Sequence, residues 1–188
     1  DEFGLTGNVT HDYGTANTYT VAIRGAFPRI FFDNDGANNN KLLSVNQWGD
    51  IDWKSFERAF LGCGNLQINA SDKPDLNDVT NMSGTFSAIS AINQDISAWD
   101  VSSVENMSSM FSSIFSFNQD IRNWNVSKVT NMSLMFASAT AFNQNISGWD
   151  VSKVTNMTGM FLGATAFDQN LGAWGTKFNA SVDLTETL

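Results

Sequence analysis

The chain has one cysteine, Cys63, and one histidine, His11, in 188 residues. A lone cysteine excludes an intramolecular disulfide and a cysteine-built zinc site. A lone histidine excludes a histidine-cluster metal site, and a Cys/His or Ser/His pair within the repeats described below. No run reaches 18 consecutive apolar residues, the length that suggests a membrane-spanning helix. Charge is scarce too: Asp, Glu, Lys and Arg make up 15% of the residues, and the net charge is −9. An acidic chain lacks the basic footprint that nucleic acid requires and is repelled by an anionic membrane surface. There is no initiator Met and no signal-peptide pattern; the start at Asp1 reads as that of a mature product or an excised piece of something longer.

What the chain has instead is repetition. Residues 92–116, 117–141 and 142–166 are three near-copies of one 25-residue unit. Trp99, Trp124, Trp149 and Trp174 mark the period, as do Met107, Met132 and Met157, and Phe111, Phe136 and Phe161. A fixed period of this size signals units that cannot bury their apolar face alone and must stack. The repeated Trp, Val, Met and Phe positions are therefore the expected core. In the central copy, Trp124-Asn-Val126 alternates as an extended segment does. Val129, Met132 and Phe136 fall at i, i+3 and i+7, as on a helix face. The unit reads either as strand followed by a short helix or 3-10 turn, or as helix throughout. The first fits better, because a 25-residue coil must reverse direction.

Residues 46–91 carry degenerate copies: Trp53, Phe56 and Phe60 have the spacing of Val79, Met82 and Phe86, with an insertion near residues 69–74. Residues 167–188 keep Phe167, Gln169, Leu171 and Trp174 and then depart. The expected organisation is a β-rich N-terminal cap over 1–45 and a repeat region over 46–188. That region divides into degenerate coils 46–91, regular coils 92–166 and a closing coil or cap 167–188. Within the cap, Tyr19, Val21 and Ile23 alternate with Thr20, Ala22 and Arg24, which predicts a strand with one buried face. Residues 33–40 are a dense turn signal, read as a hairpin loop bending at Asp35-Gly36. The alternative is a calcium loop using Asp33, Asp35 and Asn38, although the EF-hand spacing is incomplete.

Polar positions repeat as well. Asn81, Asn106, Asn131 and Asn156 form one column, and Gln94, Gln119, Gln144 and Gln169 another. Asp95, Asp120, Asn145 and Asn170 form a third, and Asp100, Asn125 and Asp150 a fourth. Such residues either hydrogen-bond from coil to coil as stacked amides or satisfy backbone groups in turns. Stacked carboxylates at Asp95 and Asp120 would also suit a cation, so calcium is the one cofactor the sequence suggests. The Trp column reads as core, with an exposed sugar-stacking platform as the alternative. The Asn-x-Ser/Thr sequons headed by the repeated Asn arise from the repeat itself.

The repeated pattern Phe-Asn-Gln-Asp-Ile-(x)2-Trp-(Asp/Asn)-Val-Ser-Lys-Val-Thr-Asn-Met-Ser-(x)-Met-Phe resembles the 25–26-residue repeat of bacterial surface proteins of the BspA-type leucine-rich-repeat-like family. It covers residues 92–174 closely, and 46–91 look like that family's opening units. The resemblance implies an α/β, right-handed, leucine-rich-repeat-like solenoid of about five coils. It also implies a secreted or surface-anchored parent protein, a role in adhesion, and no catalytic residues. His11-Asp-Tyr13 followed by Tyr19-Thr-Val-Ala-Ile23 resembles the closing strands of a PKD-like domain.

No constellation of residues suggests catalysis. The expected function is a non-catalytic extracellular binding or adhesion module that recognises a protein or polysaccharide. A structural spacer without its own ligand is the alternative, and an ice-binding surface a remoter one, since its Thr rank is broken at Glu105. Contacts belong where copies differ on the outside. Arg122, Lys128 and Lys153 interrupt ranks of Ser and Asn there, and are the candidate handle for a carboxylate or sulfate.

Overall fold

The computed structural model describes residues 14–25, 27–33, 36, 38–92 and 94–177. Among the described residues from Arg29 to Lys177 the chain is a stack of coils in parallel register. Single-residue bridges join Asn81 to Asn106, Asn106 to Asn131 and Asn131 to Asn156. Among the described residues one two-stranded sheet forms, early in the stack, where β1 (Ser44–Val45) pairs in parallel with β2 (Gln67–Ile68). Two short 3-10 turns, Asn39–Lys41 and Gly172–Trp174, complete the regular structure.

The α/β, leucine-rich-repeat-like solenoid expected from sequence is not what forms. Among the described residues there is no α-helix, and the regular coils meet through single bridges rather than a continuous sheet. The reason is local. Met107, Met110, Phe111 and Ile114 have helical spacing, but Ser109 and Ser113 have φ of +55° and +60°. Leu134 and Ser138 repeat this in the next coil, Gly159 and Gly163 in the one after, and Gly84 and Ala88 in the one before. A left-handed residue every fourth position cannot belong to a right-handed helix. It gives instead two type II-like turns, Met107–Met110 and Phe111–Ile114, each with positive φ at its third residue. Successive turns return the side chains at i, i+3, i+4 and i+7 to one side, so they mimic the periodicity of a helix.

The backbone accounting shows why this ribbon is stable without a helix. The N–H groups of Met107, Ser109, Phe111 and Ser113 donate to Asn131, Ser133, Met135 and Ala137 of the next coil, at 2.7–3.0 Å. The alternate N–H groups, of Met110, Ser112 and Ile114, donate to carbonyls three residues back. Ser108 N–H donates to Asn106 Oδ1 at 3.0 Å. Every donor from Met107 to Ile114 therefore has an acceptor, as buried backbone requires. Half of these bonds exist only because another coil is present.

The core is one continuous aromatic and aliphatic stack, and it contains the residues expected there. Trp99, Trp124, Trp149, Met107, Met132, Met157, Phe111, Phe136 and Phe161 are all buried. Phe111 stacks on Phe136 at 5.8 Å between ring centroids, and Phe136 on Phe161 at 5.7 Å. Phe117 and Phe142 slot between them, 4.0 Å from Phe111 and 3.9 Å from Phe136 respectively. The degenerate coils join the same core through Trp48, Trp53, Phe56, Phe60 and Phe86.

The β-rich cap is also overturned. Tyr19, Val21 and Ile23 lie in no strand and are exposed. The apolar runs on either side of residues 33–40 do not pair with each other as a hairpin. Arg29 bridges Ser55, and β1 pairs with β2, so both runs join the first coils in parallel. Asp35, His11 and Tyr13 lie outside the described residues.

Candidate functional site

The polar columns explain themselves once the hydrogen bonds are traced. Asn81, Asn106, Asn131 and Asn156 each accept, through Oδ1, the N–H of the residue two further on, at 2.9–3.0 Å. Asp95, Asp120, Asn145 and Asn170 do the same for Ser97, Arg122, Ser147 and Gly172. Asp100, Asn125 and Asp150 do it for Ser102, Ser127 and Ser152. Each regular coil thus holds three Asx turns, in which a side-chain oxygen replaces a backbone acceptor. Only the Oδ1 acceptor is needed, which is why Asp and Asn alternate in two of the columns. The expected amide-on-amide ladder is absent from the Asn column.

The Gln and Trp columns do cross between coils, and they end on backbone or on Asn side chains. Gln119 Nε2 donates to Ile92 O, and Gln144 Nε2 to both oxygens of Asn118. Trp124, Trp149 and Trp174 donate through Nε1 to Ile96, Ile121 and Ile146, 28 residues earlier, at 3.1–3.2 Å. The residue 28 before Trp99 is Ser71, in the insertion between degenerate copies, and the buried Trp99 Nε1 has no partner. Buried rings cannot form a sugar platform, so the core reading of this column stands.

The carboxylates in Asx turns are shifted in one direction. The Ser97 N–H holds Asp95 below its ordinary value, and the Arg122 N–H, helped by the Arg122 side chain, holds Asp120 below it. Asp100 and Asp150 are lowered first by the hydroxyls and then by the N–H groups of Ser102 and Ser152. A carboxylate with a depressed folded pKa contributes stability that is complete above its unfolded value and disappears as pH falls through the folded one. Stability is therefore expected to be level near neutrality and to fall below about pH 4. Replacing Asp95, Asp100, Asp120 and Asp150 together with Asn keeps every turn acceptor and removes the titration. Thermal melts of this variant at neutral pH and near pH 3 check the point. It should lose less on acidification than the parent, and equal losses would put the acid sensitivity elsewhere.

The three candidate cations act on different carboxylates. Arg122 Nε donates to Asp120 Oδ1 at 2.9 Å, within its own turn. Lys128 and Lys153 share a column one coil apart, are exposed, and make no ion pair among the described residues. Each still acts on a carboxylate: Lys128, with Lys73, helps lower Asp100, and Lys153, with Lys177, helps lower Asp150.

The calcium candidates are similarly occupied. Asp33 Oδ1 accepts from Arg58 Nη1 at 2.7 Å, and Asn38 Oδ1 from Lys41 Nζ at 2.9 Å. Asp120 also acts on Asp95 by charge repulsion, and each of the two gives its Oδ1 to a turn N–H. Among the described residues no group of three or more His, Cys, Asp or Glu could hold a metal ion. Burial pushes the Cys63 thiol up to about 11, which leaves it protonated and a poor nucleophile at neutral pH. No helix among the described residues is long and apolar enough to cross a membrane.

Three exposed side chains stand apart from the repeat pattern. Phe115, Leu134 and Leu162 are exposed apolar residues on three successive coils. Their segments differ between copies, which was the only signal.

A family model matches residues 54–177, that of DUF285, described as a Mycoplasma protein of unknown function. No curated protein and no solved structure matches the chain.

Proposed function

The chain belongs to DUF285, a family of Mycoplasma proteins of unknown function, and we propose that it is a non-catalytic binding module of a larger extracellular protein. Its partner in this reading is a protein or polysaccharide, met along the outside of the coils. The observation that carries the proposal is the division of labour within each coil. Residues common to the copies are buried or tied into Asx turns, while positions that differ, such as Ser103, Lys128 and Lys153, face solvent wholly or in part. A stack of this kind maintains an extended surface at small cost in sequence, and the common residues are all spent on building it.

Acidic polymers are the partner class that the exposed cations favour. Replacing Arg122, Lys128 and Lys153 together with Ser is expected to weaken binding to heparin or hyaluronan by about tenfold or more, since charge-assisted bonds are the stronger kind. Unchanged binding by a folded triple variant makes these residues solvated surface. The spacer reading has its own support, because Lys128 and Lys153 help offset Asp100 and Asp150. A screen of glycans and matrix proteins that finds no partner for the whole chain favours the spacer.

A further inference from the structure

One outward column changes character toward the end of the stack. Asp95 and Asp120 give way to Asn145 and Asn170, and two residues further on Ser97 and Arg122 give way to Ser147 and Gly172. The next position is Gly148 and then Ala173, where the coil of Arg122 has Asn123. The column therefore loses its charge in the same two coils in which its side chains shrink. A cleft lies there. It has a volume of about 410 Å³ and is lined by Asn145, Ser147, Gln169, Asn170, Gly172 and Ala173. None of the six is charged or aromatic, in a chain of net charge −9.

The two coils that form the cleft are tied to each other. Gln169 Nε2 donates to Asn143 Oδ1 at 2.8 Å, and Asp168 N–H donates to the same oxygen at 3.0 Å. Asn145 Oδ1 accepts from Ser147 N–H at 3.1 Å and from Ser147 Oγ at 2.7 Å. Asn170 Oδ1 accepts from Gly172 N–H at 2.7 Å. Both carboxamides are thus held by their oxygens. Their Nδ2 groups, and Gln169 Oε1, have no protein partner among the described residues. The cleft offers donors and an acceptor on a fixed frame, with no charge.

We propose that this cleft binds a neutral saccharide ring, as one unit of a polysaccharide lying along the coils. Its chemistry selects the ligand. An ion finds no counter-charge among the lining residues, and an apolar group would strip water from amides that it cannot replace. A sugar hydroxyl both donates and accepts, so it can meet the Nδ2 groups and Gln169 Oε1 alike. The volume falls in the range of small-molecule sites. An open, uncharged cleft binds weakly, with a dissociation constant on the order of 1 mM. Arg122 stands one coil earlier in the column of Ser147, so a polymer that carries neutral and acidic sugars meets both. The inference rests on the reading of the chain as a binding module and narrows its ligand, through residues separate from Arg122, Lys128 and Lys153.

Nuclear magnetic resonance of the full chain, titrated with tri-N-acetylchitotriose and with maltotriose to about 20 mM, tests it. Saturable shifts of the Asn145 and Asn170 side-chain amides are expected with at least one of these neutral sugars. The variants are taken from the protein's own copies, so the turns accept them. Asn145→Asp with Asn170→Asp installs the residue of the earlier coils, keeps both turn acceptors and removes both Nδ2 donors. It should weaken binding about tenfold or more. Ser147→Arg sets in the cleft the side chain that the preceding coil carries at Arg122, and should abolish binding. Lys128→Ser with Lys153→Ser should leave it unchanged. No saturable shift with either sugar overturns the proposal, as do shifts confined to residues outside the cleft or binding that survives Ser147→Arg. If heparin or hyaluronan binding still depends on Arg122, Lys128 and Lys153 in that case, the binding-module reading stands and this site alone fails. Saturation of the cleft by acetyl-triserine amide and by neither sugar assigns it to a peptide and also overturns the proposal.

Discussion

Replacing Trp124 with alanine is expected to cost about 3–5 kcal/mol, the range for emptying a buried aromatic site. The ring is 4% exposed and packs against Phe111 at 5.9 Å. Its loss also removes a tie between coils, because Trp124 Nε1 donates to Ile96 O one coil earlier, at 3.1 Å, although Ile96 O keeps the Trp99 N–H. The damage should extend beyond one coil. Half of the turn-ribbon N–H groups donate to the next coil, so a coil that shifts takes its neighbours' bonds with it. In a linear stack, stability is a sum of units and nearest-neighbour interfaces, and the centre carries two interfaces. Denaturant unfolding followed by tryptophan fluorescence checks the prediction. A loss below about 1 kcal/mol, the effect of an ordinary substitution, would mean that the column does not hold the coils together.

Asn131 gives the second large effect, and its chemistry separates two explanations. Oδ1 accepts from Ser133 N–H at 3.0 Å and from Ser133 Oγ at 2.8 Å. Its backbone carbonyl accepts from Met107 N–H at 2.9 Å, a bond that any residue there would make. Asn131→Ala leaves a partly buried N–H without an acceptor and is expected to cost about 1–3 kcal/mol. Asn131→Asp keeps the acceptor, so it should cost less than alanine at neutral pH. The gap should narrow on acidification as the charge is lost but not close, because a protonated carboxyl still accepts through its carbonyl oxygen. Equal cost for the two substitutions at neutral pH would show that the column acts through its amide group, as a stacked ladder would require. The same logic accounts for the mixed columns, where Asp and Asn already substitute for one another in nature's own copies of the unit.

Two of the expected elements failed for a shared reason. Met107, Met110, Phe111 and Ile114 obey the helix period, yet Ser109 and Ser113 between them take positive φ. Periodicity reports which side chains share a side, and consecutive turns satisfy it as well as a helix does. Glycine at 84, 159 and 163 hinted at left-handed backbone, but Ser109, Leu134 and Ser138 take the same conformation without being glycine. Neighbouring coils impose it, since Ser109 and Ser113 N–H must point at carbonyls of the next coil. Tyr19, Val21 and Ile23 alternate as a strand should, yet they lie in no strand, because alternation sets which side chains share a side and leaves pairing to the rest of the fold.

The sequence by itself determined the period, the register of the copies and the identity of the core. Identical residues recurring every 25 positions have one economical arrangement, which places Trp124, Met132 and Phe136 against their counterparts. Burial follows because no single coil could hide them. It also determined where acceptors for turns would stand, since Asp or Asn two residues before Ser is a local chemical instruction. Only the tertiary structure decided what those turns became. It turned an apparent helix into a turn ribbon, tied Arg122 to Asp120, set Lys128 and Lys153 to balance Asp100 and Asp150, and left Leu134 and Leu162 outside. The ribbon depends on φ and on carbonyls of the next coil, Lys128 reaches Asp100 from the neighbouring coil, and the Arg122–Asp120 pair depends on a local side-chain geometry; hydrophobic spacing carries no record of any of them.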